Sequence, residues 1–213
     1  MNQLRTLQCP IFLLCFFICG SLCLADDTRP DQPLSRTIQQ AEEALAGGES
    51  ETALELATKA REQARAQGKV REQAQACRVL TDIWFDQDGD KAFDFCTEEL
   101  GCRQAMNDLT GMAYCHNVCG ILLKRKGQHY AALKHYYESM RIARTIPDHD
   151  DQLARVSSAA FNIASLYDTF HFYHKAIQYY QISLTCEQEL GNLDGESLAM
   201  ANMAVTYREL QQF

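Results

Sequence analysis

The stretch that decides the fold is GILLKRKGQHYAALKHYYES, residues 120–139. Its apolar residues recur at steps of three and four, the period of an amphipathic helix, and Gly127 divides it into two such helices. Laid over AEEALAGGESETALELATKA (41–60), ASLYDTFHFYHKAIQYYQIS (164–183) and AVTYRELQQF (204–213), it keeps one register. A small residue opens each copy: Ala41, Gly120, Ala164 and Ala204. Three residues on, a core residue shares its helix face: Ala44, Leu123, Tyr167 and Tyr207. Four residues further stands Gly48 or Gly127, either of which ends a helix readily by accepting positive φ. His171 and Gln211 hold that place in the later copies, so their turns are expected to be made otherwise.

The second half of each copy is as regular. Ala53, Ala132 and Ala176 stand at +12 from the opening residue; Ala57, Tyr136 and Tyr180 at +16; Ala60, Ser139 and Ser183 at +19. Small residues at the opening position and at +12 are expected to let paired helices approach closely, with the aromatic at +16 filling the gap under the next pair. A degenerate copy sits around Thr81 to Trp84, so the steps between copies are 40, 39, 44 and 40 residues. Its turn, DQDGDK (86–91), reads as about two residues short, and Cys96 and Glu99 replace the usual aromatic and small residues. Between the third and fourth copies IPDHDDQ (146–152) adds four residues, and Pro147 is expected to end the preceding helix. No stretch alternates as a half-buried strand would. An ordinary helical bundle, the competing all-α fold, predicts no register between segments.

These offsets, recurring together in independent copies, resemble the tetratricopeptide repeat in its 40-residue variety. The resemblance covers residues 35–213: about four repeats and the first helix of a fifth. It implies an all-α, right-handed helical-repeat solenoid of antiparallel helix pairs, with a concave wall lined by the first helix of each pair. The groove positions of the family fall here on Glu42; on Arg78, Asp82 and Asp86; on Tyr114, Asn117, Lys124 and Arg125; and on Phe161 and Asp168. Such a wall, mixing charge signs around two aromatics, suits a protein or peptide ligand. One subset of the family grips a C-terminal carboxylate with Lys and Asn. Ile38 and Glu42 occupy those two places, so that clamp is not expected.

Composition agrees with a folded chain. Of 213 residues 46% are apolar and 23% charged, with eleven Gly and four Pro, which excludes collagen, a disordered tail and a polytopic membrane protein. A formal charge of -8 argues against nucleic acid as a partner, because phosphate binding needs clustered Lys and Arg. Residues 1–25 carry Arg5, an apolar run from Ile11 to Leu24 and small residues before a cut after Ala25. That run is too short for a spanning helix and reads as a secretory signal peptide, the alternative being an uncleaved N-terminal anchor. A polar lead, 26–34, follows. The expected location is periplasmic or secreted, with membrane contact through the signal segment or a missing C-terminal part. Of ten cysteines, six lie beyond the signal: Cys77, Cys96, Cys102, Cys115, Cys119 and Cys186. Export permits disulfides, but six thiols allow fifteen pairings and sequence does not choose among them; buried packing thiols are the alternative.

Four constellations that resemble chemistry fail on spacing or geometry. Asp86, Asp88 and Asp90 suggest a calcium loop, yet Lys91 stands where Gly is required and Thr97 where Glu is. His171 and His174 lack a third ligand at metal spacing, and Cys115–Cys119 is CxxxC rather than CxxC. Cys115 and His116 are helix neighbours about 100° apart, which cannot bond each other. No phosphate loop, HExxH or GxSxG occurs, so no enzyme, cofactor or metal is expected. The reading is a non-enzymatic, exported binding module or scaffold. Its rival is the truncated sensory N-terminal region of a bacterial transmembrane histidine kinase or diguanylate cyclase, with signal transduction as its role. A metal- or redox-responsive use of the six thiols is a third reading.

Overall fold

The computed structural model describes residues 33–211, and its ordered elements are all helices. They run α1 (Leu34–Ala46), α2 (Ser50–Ala66), α3 (Val70–Trp84), α4 (Gly89–Ala105), α5 (Leu109–Arg125), α6 (His129–Ala143), α7 (His149–Thr169), α8 (Tyr173–Leu190) and α9 (Leu193–Leu210). The signal segment and the polar lead as far as Gln32 lie outside the described residues. Among the described residues, no helix is long and apolar enough to cross a membrane.

Turn chemistry sets the register. Gly48, Gly127 and His171 all take the left-handed conformation, at φ 81°, 72° and 60°. In each turn the following N–H reaches a carbonyl five residues back: Glu49 to Ala44 at 2.8 Å, Gln128 to Leu123 and Phe172 to Tyr167 at 2.9 Å. That is the closure of a Schellman C-cap. His171 therefore makes the same turn as the glycines, contrary to the expectation of a different one. Its Nδ1 lies 2.6 Å from the Tyr173 hydroxyl, a local bond that opposes the strain of a side chain in that region.

The second copy closes differently. None of its turn residues is left-handed. The Asp88 N–H reaches only four residues back, to the Trp84 carbonyl at 2.9 Å. Its carboxylate then caps α4, accepting from the N–H groups of Asp90 and Lys91 at 3.1 Å each. The turn is thus one residue short, not two: Ala92 follows Thr81 by 11 positions, where Ala132 follows Gly120 by 12. Between the third and fourth copies α6 ends at Ala143, Pro147 lies in the following turn, and Asp148 caps α7 through the Asp151 N–H at 2.9 Å.

Inside each pair the opening position and the +16 position complement each other in volume. Gly120, Ala132, Ala164 and Ala176 are all buried. A Cβ placed on Gly120 would meet the Tyr136 ring at 2.4 Å, so the glycine makes room for that ring rather than for Ala132 alone. The Tyr136 ring also lies in one cluster with Ala159, Ala160 and Ile163 of α7, so it fills its own hairpin and the joint to the next. Ala164 meets Tyr180 in the same way, Ala41 meets Ala57, and the second copy sets Cys96 in the buried aromatic position. The +19 serines turn inward too: Ser139 donates to the Ala113 carbonyl at 2.7 Å and Ser183 lies 2.9 Å from Ser157. Glu99 takes that place in the second copy and is fully buried.

Candidate first-helix wall

Backbones of successive first helices approach within 8 Å in the pairs α1–α3 and α5–α7. Successive second helices are bridged instead by long side chains, as by Arg61 to Glu98 at 2.6 Å and Tyr137 to Tyr179 at 3.1 Å. The first helices carry the groove residues read from sequence, Asp86 in the turn after α3 excepted, and their shared side is the candidate wall.

At its centre the Arg78 guanidinium of α3 sits 3.3 Å from the centroid of the Tyr114 ring on α5. The Arg155 guanidinium of α7 approaches the same ring at 5.5 Å. Three helices from three repeats thus meet at one aromatic, each cation held by the ring's negative face. Behind Arg78 lies Glu99, which accepts from Arg103 Nε at 3.1 Å and Nη2 at 2.9 Å, while its other oxygen is 3.6 Å from Arg78 Nε. Arg78 Nε, Arg155 Nε and Glu99 Oε2 are buried without a hydrogen-bond partner. Burial raises the Glu99 carboxyl above the usual carboxylate range, against the opposing pull of Arg78 and Arg103. Burial likewise pushes the Tyr114 hydroxyl up to about 12, so the ring is a neutral phenol at pH 7.

The other sequence-derived residues are dispersed and already engaged. Asn117 accepts from Asn162 at 3.0 Å, and Lys124 donates to Ser165 at 2.8 Å. Burial lowers the Lys124 pKa, with Asp168 opposing that shift. Asp168 accepts from Thr206 of α9 at 3.0 Å. Phe161 turns to Tyr180 of its own pair, ring centroids 5.4 Å apart. Arg125 lies at the turn end, donating to the Phe85 carbonyl at 2.9 Å and to Asp86 at 2.8 Å, and Asp82 is exposed on α3. The structure therefore unites Arg78 with Tyr114, and engages Lys124, Asp168, Arg125 and Phe161 each with other partners. Sequence reasoning missed Arg155, nine residues before Ala164, because the groove offsets stop six residues before the opening position. The insertion before α7 is not the reason: its additional residues precede Arg155, and the same position is already helical in α5, where Gly111 holds it without a side chain.

Outside that wall, a depression of about 920 Å³ runs along α6, lined among others by Tyr130, Tyr137, Tyr179 and Arg141. His116 and His135 also line it, their Nδ1 atoms 3.2 Å apart. Burial holds both imidazoles below their ordinary pKa, and for His116 the neighbouring His135 adds to the shift. In the acidic turn, Asp86 pairs with Arg125, Asp88 caps α4 and Asp90 pairs with Lys126. Among the described residues, no group of three or more His, Cys, Asp or Glu side chains is set to hold a metal ion.

No protein-family model matches the chain, and none of the curated proteins matches it in sequence. In fold it is similar to the apo form of the quorum sensor NprR from B. thuringiensis, with a TM-score of 0.69 and 19% identity over 84% of this chain. It is also similar to BtubC (BKLC) from P. vanneervenii, with a TM-score of 0.60 and 16% identity over 86% of this chain. The chain spans 49% of the length of NprR and 86% of BtubC. The fold is accordingly an all-α, tetratricopeptide-like helical-repeat solenoid.

Proposed function

We propose that the chain is a non-enzymatic, exported module that binds an extended protein or peptide along the first-helix wall, with an acidic side chain or C-terminal carboxylate placed against Arg78 and Arg155. One observation carries this reading: two guanidinium groups from different repeats flank Tyr114, Arg78 with a 3.6 Å ion pair to Glu99 behind it and Arg155 with no hydrogen bond to its buried Nε. A carboxylate arriving from the groove would offer these cations charge-assisted bonds through their terminal guanidinium nitrogens. Asn117 and Asn162, one turn further along, offer amide groups that match a peptide backbone. Export rests on the apolar leader of residues 1–25. Affinity selection of a random peptide library on the purified protein tests the reading. Retained peptides should be enriched in Asp and Glu, should elute in salt of about 0.5 M, and should be lost with Arg155→Ala at unchanged helicity. Peptides without acidic groups, held equally by the variant, would refute it.

A second reading, that the wall belongs to the sensory region of a signalling protein, is supported by the likeness to a quorum sensor. It requires the ligand to alter a distant element. Peptide-induced protection from hydrogen exchange that spreads into α9 would favour it, whereas protection confined to α3, α5 and α7 would oppose it.

A further inference from the structure

We infer that Cys96 and Cys119 are partners in a disulfide that fastens α4 to α5 across the joint between the second and third helix pairs. Their sulfurs lie 3.4 Å apart, with the Cys119 thiol directed at Cys96 and the Cys96 thiol at the Cys115 carbonyl, also 3.4 Å away. Both side chains are fully buried in one cluster with Ala92, Val118 and Leu122. A disulfide needs its sulfurs at about 2.05 Å, so closure requires a relative movement of roughly 1.4 Å shared between two side chains on packed helices. The site has a packing reason as well. Cys96 occupies the position that Tyr136 and Tyr180 fill in later pairs, and Cys119 immediately precedes Gly120, the residue that admits the Tyr136 ring. The second pair lacks that ring, and a covalent bridge would supply the hold that the aromatic supplies elsewhere.

The chemistry balances with a small-molecule disulfide as oxidant. The two thiols lose two protons and two electrons and a sulfur–sulfur bond forms between Cys96 and Cys119. The oxidant's own sulfur–sulfur bond breaks, and it leaves as two thiols after a mixed-disulfide intermediate. Only a thiolate attacks, and both sulfurs belong to fully buried side chains that a small-molecule disulfide cannot reach in the closed fold. Exchange therefore takes place while the α4–α5 joint is open, during folding or local unfolding, and the bridge is then sealed inside.

The test is refolding of the purified protein in mixed oxidised and reduced glutathione, alkylation of remaining thiols, and peptide mapping without reduction. The expected result is one cross-linked species joining the peptides of Cys96 and Cys119, with Cys77, Cys102, Cys115 and Cys186 alkylated. Its melting midpoint should stand roughly 5–10 °C above that of the same protein kept reduced, and Cys102→Ser should retain that difference. Alkylation of both Cys96 and Cys119, or a bridge from Cys96 to any other cysteine, would overturn the inference. The comparison of oxidised with reduced wild-type protein decides the matter even where a Cys96 variant fails to fold.

Discussion

Replacing one helical glycine by alanine should destabilise this fold at residue 120 and stabilise it at residue 101. At Gly120 the new Cβ would stand 2.4 Å and 2.6 Å from two carbons of the Tyr136 ring and 3.1 Å from a third. Ordinary contact lies near 3.4 Å or beyond, so the ring must retreat by about 1 Å. It has nowhere to go: Tyr136 is fully buried and closed in by Ala159, Ala160 and Ile163 of the next pair. Overpacking of this kind costs about 1–3 kcal/mol, with a pinned ring at the upper end, while the helix gains about 1 kcal/mol from losing a glycine. The net effect is a loss of about 1–2 kcal/mol, or a fall of roughly 2–8 °C in melting midpoint for a domain of this size. At Gly101, in α4, a Cβ would meet no atom within 4 Å, so only the helix term remains and the midpoint should rise by roughly 2–4 °C. Thermal unfolding followed by circular dichroism on Gly120→Ala and Gly101→Ala reads both. A rise in both variants would refute the claim that Gly120 is small in order to seat the Tyr136 ring.

Other expectations follow from the same geometry. Arg155→Ala should weaken an acidic peptide ligand about tenfold by fluorescence anisotropy, the scale of a single anchor at an interface, with unchanged helicity. Arg125→Ala should shift stability by less than about 1 kcal/mol in denaturant titration, because Arg125 and Asp86 are 49% and 83% exposed and solvent screens their pair. His116 and His135 both have lowered pKa values in the fold, so the unfolded chain binds more protons as pH drops below its ordinary histidine value of about 6.5. Their contribution to stability is present above that value and is lost as pH falls through the lowered folded values; Glu138 opposes the shift at both histidines, while Lys134 adds to it at His135 and Arg141 at His116. The melting midpoint of wild type should therefore fall more steeply between pH 7 and about 5.5 than that of His135→Gln.

The repeat was legible because each of its marks answers a local steric demand. Gly48 and Gly127 announce left-handed turns, and Gly120 with Tyr136 announces a matched pair of volumes. His171 hid its turn, because the conformation that glycine takes freely is here held by a bond to Tyr173, which no pattern of apolar residues reveals. The wall was legible only in part. Offsets borrowed from regular copies found Arg78 and Tyr114, but they stop six residues before the opening position and so passed over Arg155, nine before it. Periodicity reports which face a residue shares; it carries no information on which long side chains from three different helices converge on one ring.

The second copy departs from the repeat at the positions that hold Arg78. Where Ser139 and Ser183 satisfy themselves with one short bond to a neighbouring first helix, Glu99 brings a carboxylate into the interior, at a desolvation penalty that only close ion pairing offsets. It obtains that pairing from Arg103 on its own helix and from Arg78 across the hairpin. A serine there would remove the penalty, but it would also take away the carboxylate 3.6 Å behind Arg78. The shortened turn and the small Cys96 in place of an aromatic have the same sense: they set the second pair by ionic and thiol contacts, where the third and fourth are set by a buried tyrosine ring. Local departures from an otherwise consistent pattern concentrate where a fold does something besides packing. Here one of them, Glu99, lies directly behind the arginine that meets its neighbour's aromatic.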